Sequence, residues 1–238
     1  MKRFWSDAGV AEAEAGFAVQ LDGKPVRTPE GKPLAVPSRA LAEAIAAEWQ
    51  AAGGAKGGEM RPAELPLTRL ASTAIDRIAP DPLPTVAAVA RYAETDLLCY
   101  RAEQPPDLAR RQHALWQPHL DWAARTLDAP LATTQGLMPL AQDSSALAAL
   151  ARAVGRLDPF RLAGLALAVG ALGSLVLALA LAHGQVEAEG ATEASLVDEL
   201  FQATLWGEDA EAATRRARIA EEVALAGRFL RLLDQGVA

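Results

Sequence analysis

Between Arg161 and His183 the chain reads LAGLALAVGALGSLVLALALA, twenty-one residues without a charge. A segment this apolar has to leave water, so it constrains the fold more than any other stretch. About 20 residues at a 1.5 Å rise suffice to cross a bilayer. Three features argue for buried core helices instead. Ala, Gly and Leu dominate the run, which makes it less hydrophobic than its lack of charge suggests. Gly170, Gly173 and Ser174 interrupt it, and LGS reads as the end of one helix with Ser174 capping the next. The flanks carry neither the Lys/Arg clusters nor the paired aromatics of a membrane anchor. Split there, the run gives two pieces of a length suited to helices buried on all sides, and no membrane insertion is expected.

A chain of 238 residues suits one large domain or two small ones. Its net charge of −7 argues against nucleic acid, whose phosphates demand a basic footprint, and favours a partner with a basic patch. The single cysteine, Cys99, cannot form an internal disulfide, which points to a reducing compartment. The opening MKRFWSDAGV has no apolar run of signal-peptide length and no amphipathic presequence character. A bacterial cytoplasm is the expected location.

The expected fold is α+β and predominantly α. A small N-terminal antiparallel β region with helices occupies residues 1–80, and an all-helical domain follows over residues 81–238. Phe17, Val19 and Leu21 alternate before an Asp22-Gly23 turn, and Glu30-Gly31 makes a second turn, giving three or four short strands. Pro37-Ser38 starts a helix with Leu41, Ile45 and Trp49 on one face. GGAKGGE reads as a flexible loop, and LTRLASTAIDRI as a helix stopped by Pro80, Pro82 and Pro84. Beyond lie helices from Thr85, from Pro106 with a kink at Pro118, from Ser144 to Val154, the divided apolar run, Ser195 to Trp206, and Glu208 to Leu233. In the last, Ile219, Val223, Ala226, Leu230 and Leu233 form the buried stripe.

Catalytic signatures are sparse. His113 and His119 are six apart with Pro118 between them, wrong for two ligands on one helix face, and His183 reads as a partner of a helix C-terminus. Cys99 lies among apolar residues and reads as an inert buried thiol. There is no dinucleotide fingerprint, Walker loop or nucleophile elbow. No metal, cofactor or small-molecule ligand is expected. The alternative is an enzyme using Asp/Glu acid–base chemistry in an interdomain cleft, since carboxylates are plentiful although no pair stands out.

SLVDELFQATLWGED has an internal logic. Ser195 and Asp198 make a start resembling a capping box, and Gly207 ends the helix where αL geometry is needed. At 100° per residue Leu196, Val197, Leu200 and Phe201 share one face. Glu199, Gln202 and Trp206 gather opposite. A Trp among polar residues either packs on a neighbouring helix or anchors a recognition surface. From Gly184 through Thr214 there are eight acidic residues and no Lys or Arg, which favours a basic partner.

ELFQATLWGEDAEA resembles the C-terminal signature of the F1-ATPase assembly chaperones, in particular the family that attends the α subunit. VQLDGKPVRTPEGKPLAVPSRALAEAIAAEW, LPLTRLASTAID, TDLLCYRA, RRQHALWQPHLDW and LGSLVLALAL extend the likeness over nearly the whole chain, together with an opening RFW strand. The resemblance implies a two-part molecule, a small α/β region and a helical domain, without enzymatic activity. It implies that unassembled F1 α subunit is held soluble until β subunit takes the chaperone's place. The family's acidic position falls on Glu199, with Asp198 as neighbour, and its helical Glu-Trp pair on Glu48 and Trp49. The partner-binding surface implied is Asp198, Glu199, Gln202 and Trp206, with Glu208 and Asp209 beyond. The glycine-rich AGGAKGGEMRP departs from relatives that are more polar there. Such a chaperone needs no ATP if it covers an exposed interface and is displaced by mass action.

Overall fold

The structure is a computed structural model and describes residues 2–235 apart from Leu137 and Pro139. The chain forms two compact units, neither of them a single run. The first contains the chain up to Pro82, Asp158–Gly164 and the chain from Arg228 on; the second contains Leu83–Leu157 and Leu165–Gly227. A division at residue 80 alone therefore misses two later segments that fold with the first unit.

In the first unit, β1 (Ala8–Ala13) pairs antiparallel along β2 (Gly16–Leu21), whose other edge takes β3 (Lys24–Pro25) and β4 (Ala35–Val36). Asp22 and Gly23 both have positive φ, 48° and 77°, the backbone of a tight primed hairpin turn. At the other end of β2, Gly16 sits at φ 113°, and a Cβ there would lie 2.4 Å from the Val36 carbonyl oxygen. Only glycine allows that approach.

Ser38 caps α1 (Arg39–Ala51) by accepting from Leu41 N–H, and its hydroxyl donates to the Leu232 carbonyl. Leu41 and Ile45 are fully buried and Trp49 is 7% exposed, as the helical spacing predicts. Helix α2 (Pro66–Thr73) continues as a wider π turn over Ala74–Ile78. The opening residues are not a strand. Arg3 and Trp5 lie in irregular backbone, with only Lys2 bridging to Glu59. Buried Arg3 donates to the carbonyls of Gln50 and Gly54, both at 2.6 Å, while Gly57 N–H donates to the Arg3 carbonyl. The glycine-rich segment is thus tied down around a guanidinium rather than free.

The second unit opens with α3 (Leu83–Ala90) and is mainly helical, with a two-residue parallel pair, β5 (Tyr100–Arg101) with β6 (Thr134–Gln135), among its described residues. Helix α4 (Pro106–Leu127) runs on through Pro118. It is followed by α5 (Ser144–Gly155), α6 (Pro159–Leu172), α7 (Leu175–Ala182), α8 (Ala188–Ser195), α9 (Val197–Trp206) and α10 (Ala210–Asp234).

The apolar run divides where its residues say. Gly173 takes φ 66°, and Ser174 caps α7 by accepting from Leu177 N–H. Every residue from Leu175 to Leu181 is buried, with α4 and α8 packed against the helix. Among the described residues no helix is long and apolar enough to cross a membrane.

The helix expected over Ser195 to Trp206 starts two residues late, as α9, and α8 precedes it where no helix was expected. Ser195 ends α8 and donates its hydroxyl to the Thr192 carbonyl, so it does not cap α9, and no capping box forms with Asp198. The break at Leu196 turns both Leu196 and Val197 inward, at 6% and 4% exposure.

Candidate partner-binding site

Val197 and Phe201 anchor α9 to the second unit, and the opposite face carries Glu199, Gln202 and Trp206. Gly207 stops the helix at φ 88°, ψ 168°, a positive-φ conformation that favours glycine but lies outside the αL cap expected of it. Asp209 then starts α10 by accepting from Ala212 N–H at 2.8 Å. The tight connection leaves a cavity of about 360 Å³ between the two helices. Glu199, Gln202, Trp206 and Asp209 line it together with Arg215 and Arg216. Four of the six expected residues are thus in one place.

Trp206 is 85% exposed, and its neighbour Leu205 is 60% exposed. The indole does not pack into the helical unit, so the packing alternative for this side chain is set aside. An exposed Trp beside an exposed Leu is an uncommon apolar surface for an isolated molecule.

The remaining two residues sit elsewhere. Asp198 is drawn away from the cavity by Gln112 of α4, whose amide donates at 2.6 Å. Glu208 pairs with Arg216 at 2.8 Å. Glu199 pairs with Arg215. These arginines stand just past Thr214, where the acid-only stretch ends. The surface is accordingly less negative than the run of eight acids suggests.

The Glu48-Trp49 pair is structural in its contacts. Glu48 accepts from Leu67 and Thr68 N–H at 2.7 and 3.0 Å, capping α2 across the chain. Burial holds its carboxyl above the ordinary range despite those donors. Trp49 packs edge-on against Trp5, ring centroids 5.1 Å apart, and its carbonyl accepts from the Trp5 indole at 3.1 Å.

The other buried carboxyl raised by burial is Asp96, fully enclosed. It accepts from Ser174 Oγ at 2.7 Å and from Val176 and Leu98 N–H at 3.0 and 3.1 Å. Both raised carboxyls serve chain termini of helices, which is positioning and not acid–base chemistry. Cys99 is enclosed and its thiol is pushed up to about 12, chiefly by burial, so it is not a nucleophile at neutral pH. Among the described residues no group of three or more His, Cys, Asp or Glu is placed to hold a metal.

Residues 2–124 match the family model described as ATP12 chaperone protein. The mitochondrial protein atp12 of Schizosaccharomyces pombe is 25% identical over 219 residues, covering 87% of this chain and 74% of that protein. The crystal structure of Atp12 from Paracoccus denitrificans superposes with a TM-score of 0.92 at 43% identity, over 98% of each chain. An aspartate-to-lysine mutant of the same Paracoccus protein also gives 0.92, at 42% identity over 98% of this chain and 97% of that one.

Proposed function

The chain belongs to the ATP12 chaperone family, and from that premise we propose that it is an assembly chaperone of F1-ATPase that binds the unassembled α subunit. It keeps that subunit from aggregating until β subunit replaces it. The observation that carries the binding surface is the 85% exposure of Trp206 at the mouth of the Glu199 and Gln202 cavity. Asp198, held by Gln112 of α4, and Glu208 and Asp209, on the connection into α10, complete the surface. An isolated α subunit exposes the interface that β normally covers, and such apolar surface aggregates unless another protein covers it. Nothing in this scheme calls for a nucleotide, because β displaces the chaperone by mass action. The bacterial cytoplasm, where such a client is synthesised, is the place of action.

Trp206→Ala tests the reading, since so exposed a side chain contributes little to the core. The variant should melt near the wild-type temperature and lose most of its capture of freshly diluted α subunit, read by light scattering. Full protection by this variant would place the recognition surface elsewhere.

A further inference from the structure

A second depression, of about 610 Å³, lies between α8 and α10 and includes Leu200 of α9. Its floor on α10 is Ala217, Ala220 and Ala224, spaced i, i+3 and i+7 and so on one face of the helix. Ala217 and Ala224 are exposed, and Leu200 is 38% exposed beside them. Residues without long side chains let another backbone approach closely.

The wall on α8 is acidic. Of the acids in this region, Asp198, Glu199, Glu208 and Asp209 all have partners within the chain. Glu189 and Glu193 line the depression and are exposed, and their carboxylates have no hydrogen bond or ion pair among the described residues. They stand one helical turn apart, where like charges repel unless a cation lies between them. The groove's own cation, Arg216, is already neutralised by Glu208.

We propose that this groove receives an amphipathic helix of the client, its apolar stripe on the alanine floor and its Lys or Arg side chains against Glu189 and Glu193. An extended segment would fit poorly. The floor offers methyl groups and no free strand edge, so its peptide groups would be buried unpaired, whereas a helix satisfies its own. The proposal rests on the chaperone reading above and names the part of the client that is held.

The test uses purified F1 α subunit diluted from denaturant, with capture titrated at low and high salt. Ala220→Phe fills the floor, and the double variant Glu189→Lys with Glu193→Lys reverses the wall. Each should weaken capture by about tenfold or more, and in the double variant, where salt now screens repulsion at this wall, raising salt should cost less capture than it does in the wild type. Thermal melts establish folding; should Ala220→Phe not fold, Ala224→Gln at an exposed position carries the steric arm. Variants that fold and capture α within twofold of a capturing wild type overturn the groove alone. A change in oligomeric state without a change in capture also overturns it, by assigning the face to contacts between copies. A wild-type protein that does not capture α subunit overturns the chaperone reading, and this proposal with it.

Discussion

Glu199 and Arg215 form an ion pair whose partners are 32% and 58% exposed, and pairs that open to water contribute at most about 1 kcal/mol. On the proposed function, Glu199→Lys should therefore melt close to wild type while its capture of α subunit falls, because the reversed charge opposes the basic patch proposed for the client. Unfolding of this variant would make Glu199 a structural carboxylate; retained protection would move recognition away from the α9 cavity. Trp49 is the contrasting case. It is 7% exposed against fully buried Trp5, and Trp49→Arg forces a guanidinium into the space an indole fills. The cost is several kcal/mol, comparable to the net stability of a domain. A large fall in melting temperature is expected, and an unchanged melt with lost capture would assign Trp49 to the binding surface instead.

Helix α7 depends on a residue far outside it. Asp96 receives Val176 N–H and the hydroxyl of Ser174, the cap itself, so a buried carboxyl organises the start of a helix that has no polar face of its own. Burial holds the Asp96 carboxyl above its ordinary 3.8, with the three donors opposing that shift. The sign follows directly. The fold favours the protonated form, so the contribution to stability is complete below the unfolded value and is lost as pH rises through the folded one. Asp96→Asn is fixed in the neutral state and should show a flatter fall of melting temperature as pH rises above the ordinary aspartate value. It also turns an amide donor toward one of those N–H groups, at a cost of about 1–3 kcal/mol. Parallel pH profiles for the two proteins would remove Asp96 from this role.

At the scale of the molecule, the first unit is discontinuous. Ser38 donates to the carbonyl of Leu232, Arg161 pairs with Asp234, and a Cβ on Gly164 would lie 3.0 Å from Leu230. Residues from the two late segments thus supply core and caps to a unit that begins at the other end of the chain. A fragment ending at Pro82 lacks Phe229, Leu230 and Leu233, all of which are buried in the intact protein. It should show no cooperative melt by circular dichroism. A fragment that unfolds sharply, with native-like amide dispersion, would show that the early segment folds alone.

Local chemistry decided what short-range geometry can decide. Asp22-Gly23 specifies its turn because two adjacent positions must take positive φ, and Ser174 divides the apolar run because its hydroxyl reaches an N–H three residues on. Of the expected α10 stripe, Val223, Ala226, Leu230 and Leu233 are buried as periodicity requires, while Ile219 is half-buried. The face carrying Glu199, Gln202 and Trp206 was likewise legible, since three residues of one helix fix their own relative direction. Whether that Trp packed or stood in water was not, because the answer lies in what other helices offer it. Nor was α8, whose last residue, Ser195, turns its hydroxyl back to the Thr192 carbonyl instead of starting α9. Arg3 meets carbonyls 47 and 51 residues away, Glu199 a guanidinium 16 away, and Ser174 a carboxyl 78 away. Sequence spacing carries no signal across such separations, because the energy of each pairing exists only once the intervening chain has folded and brought the groups out of water together.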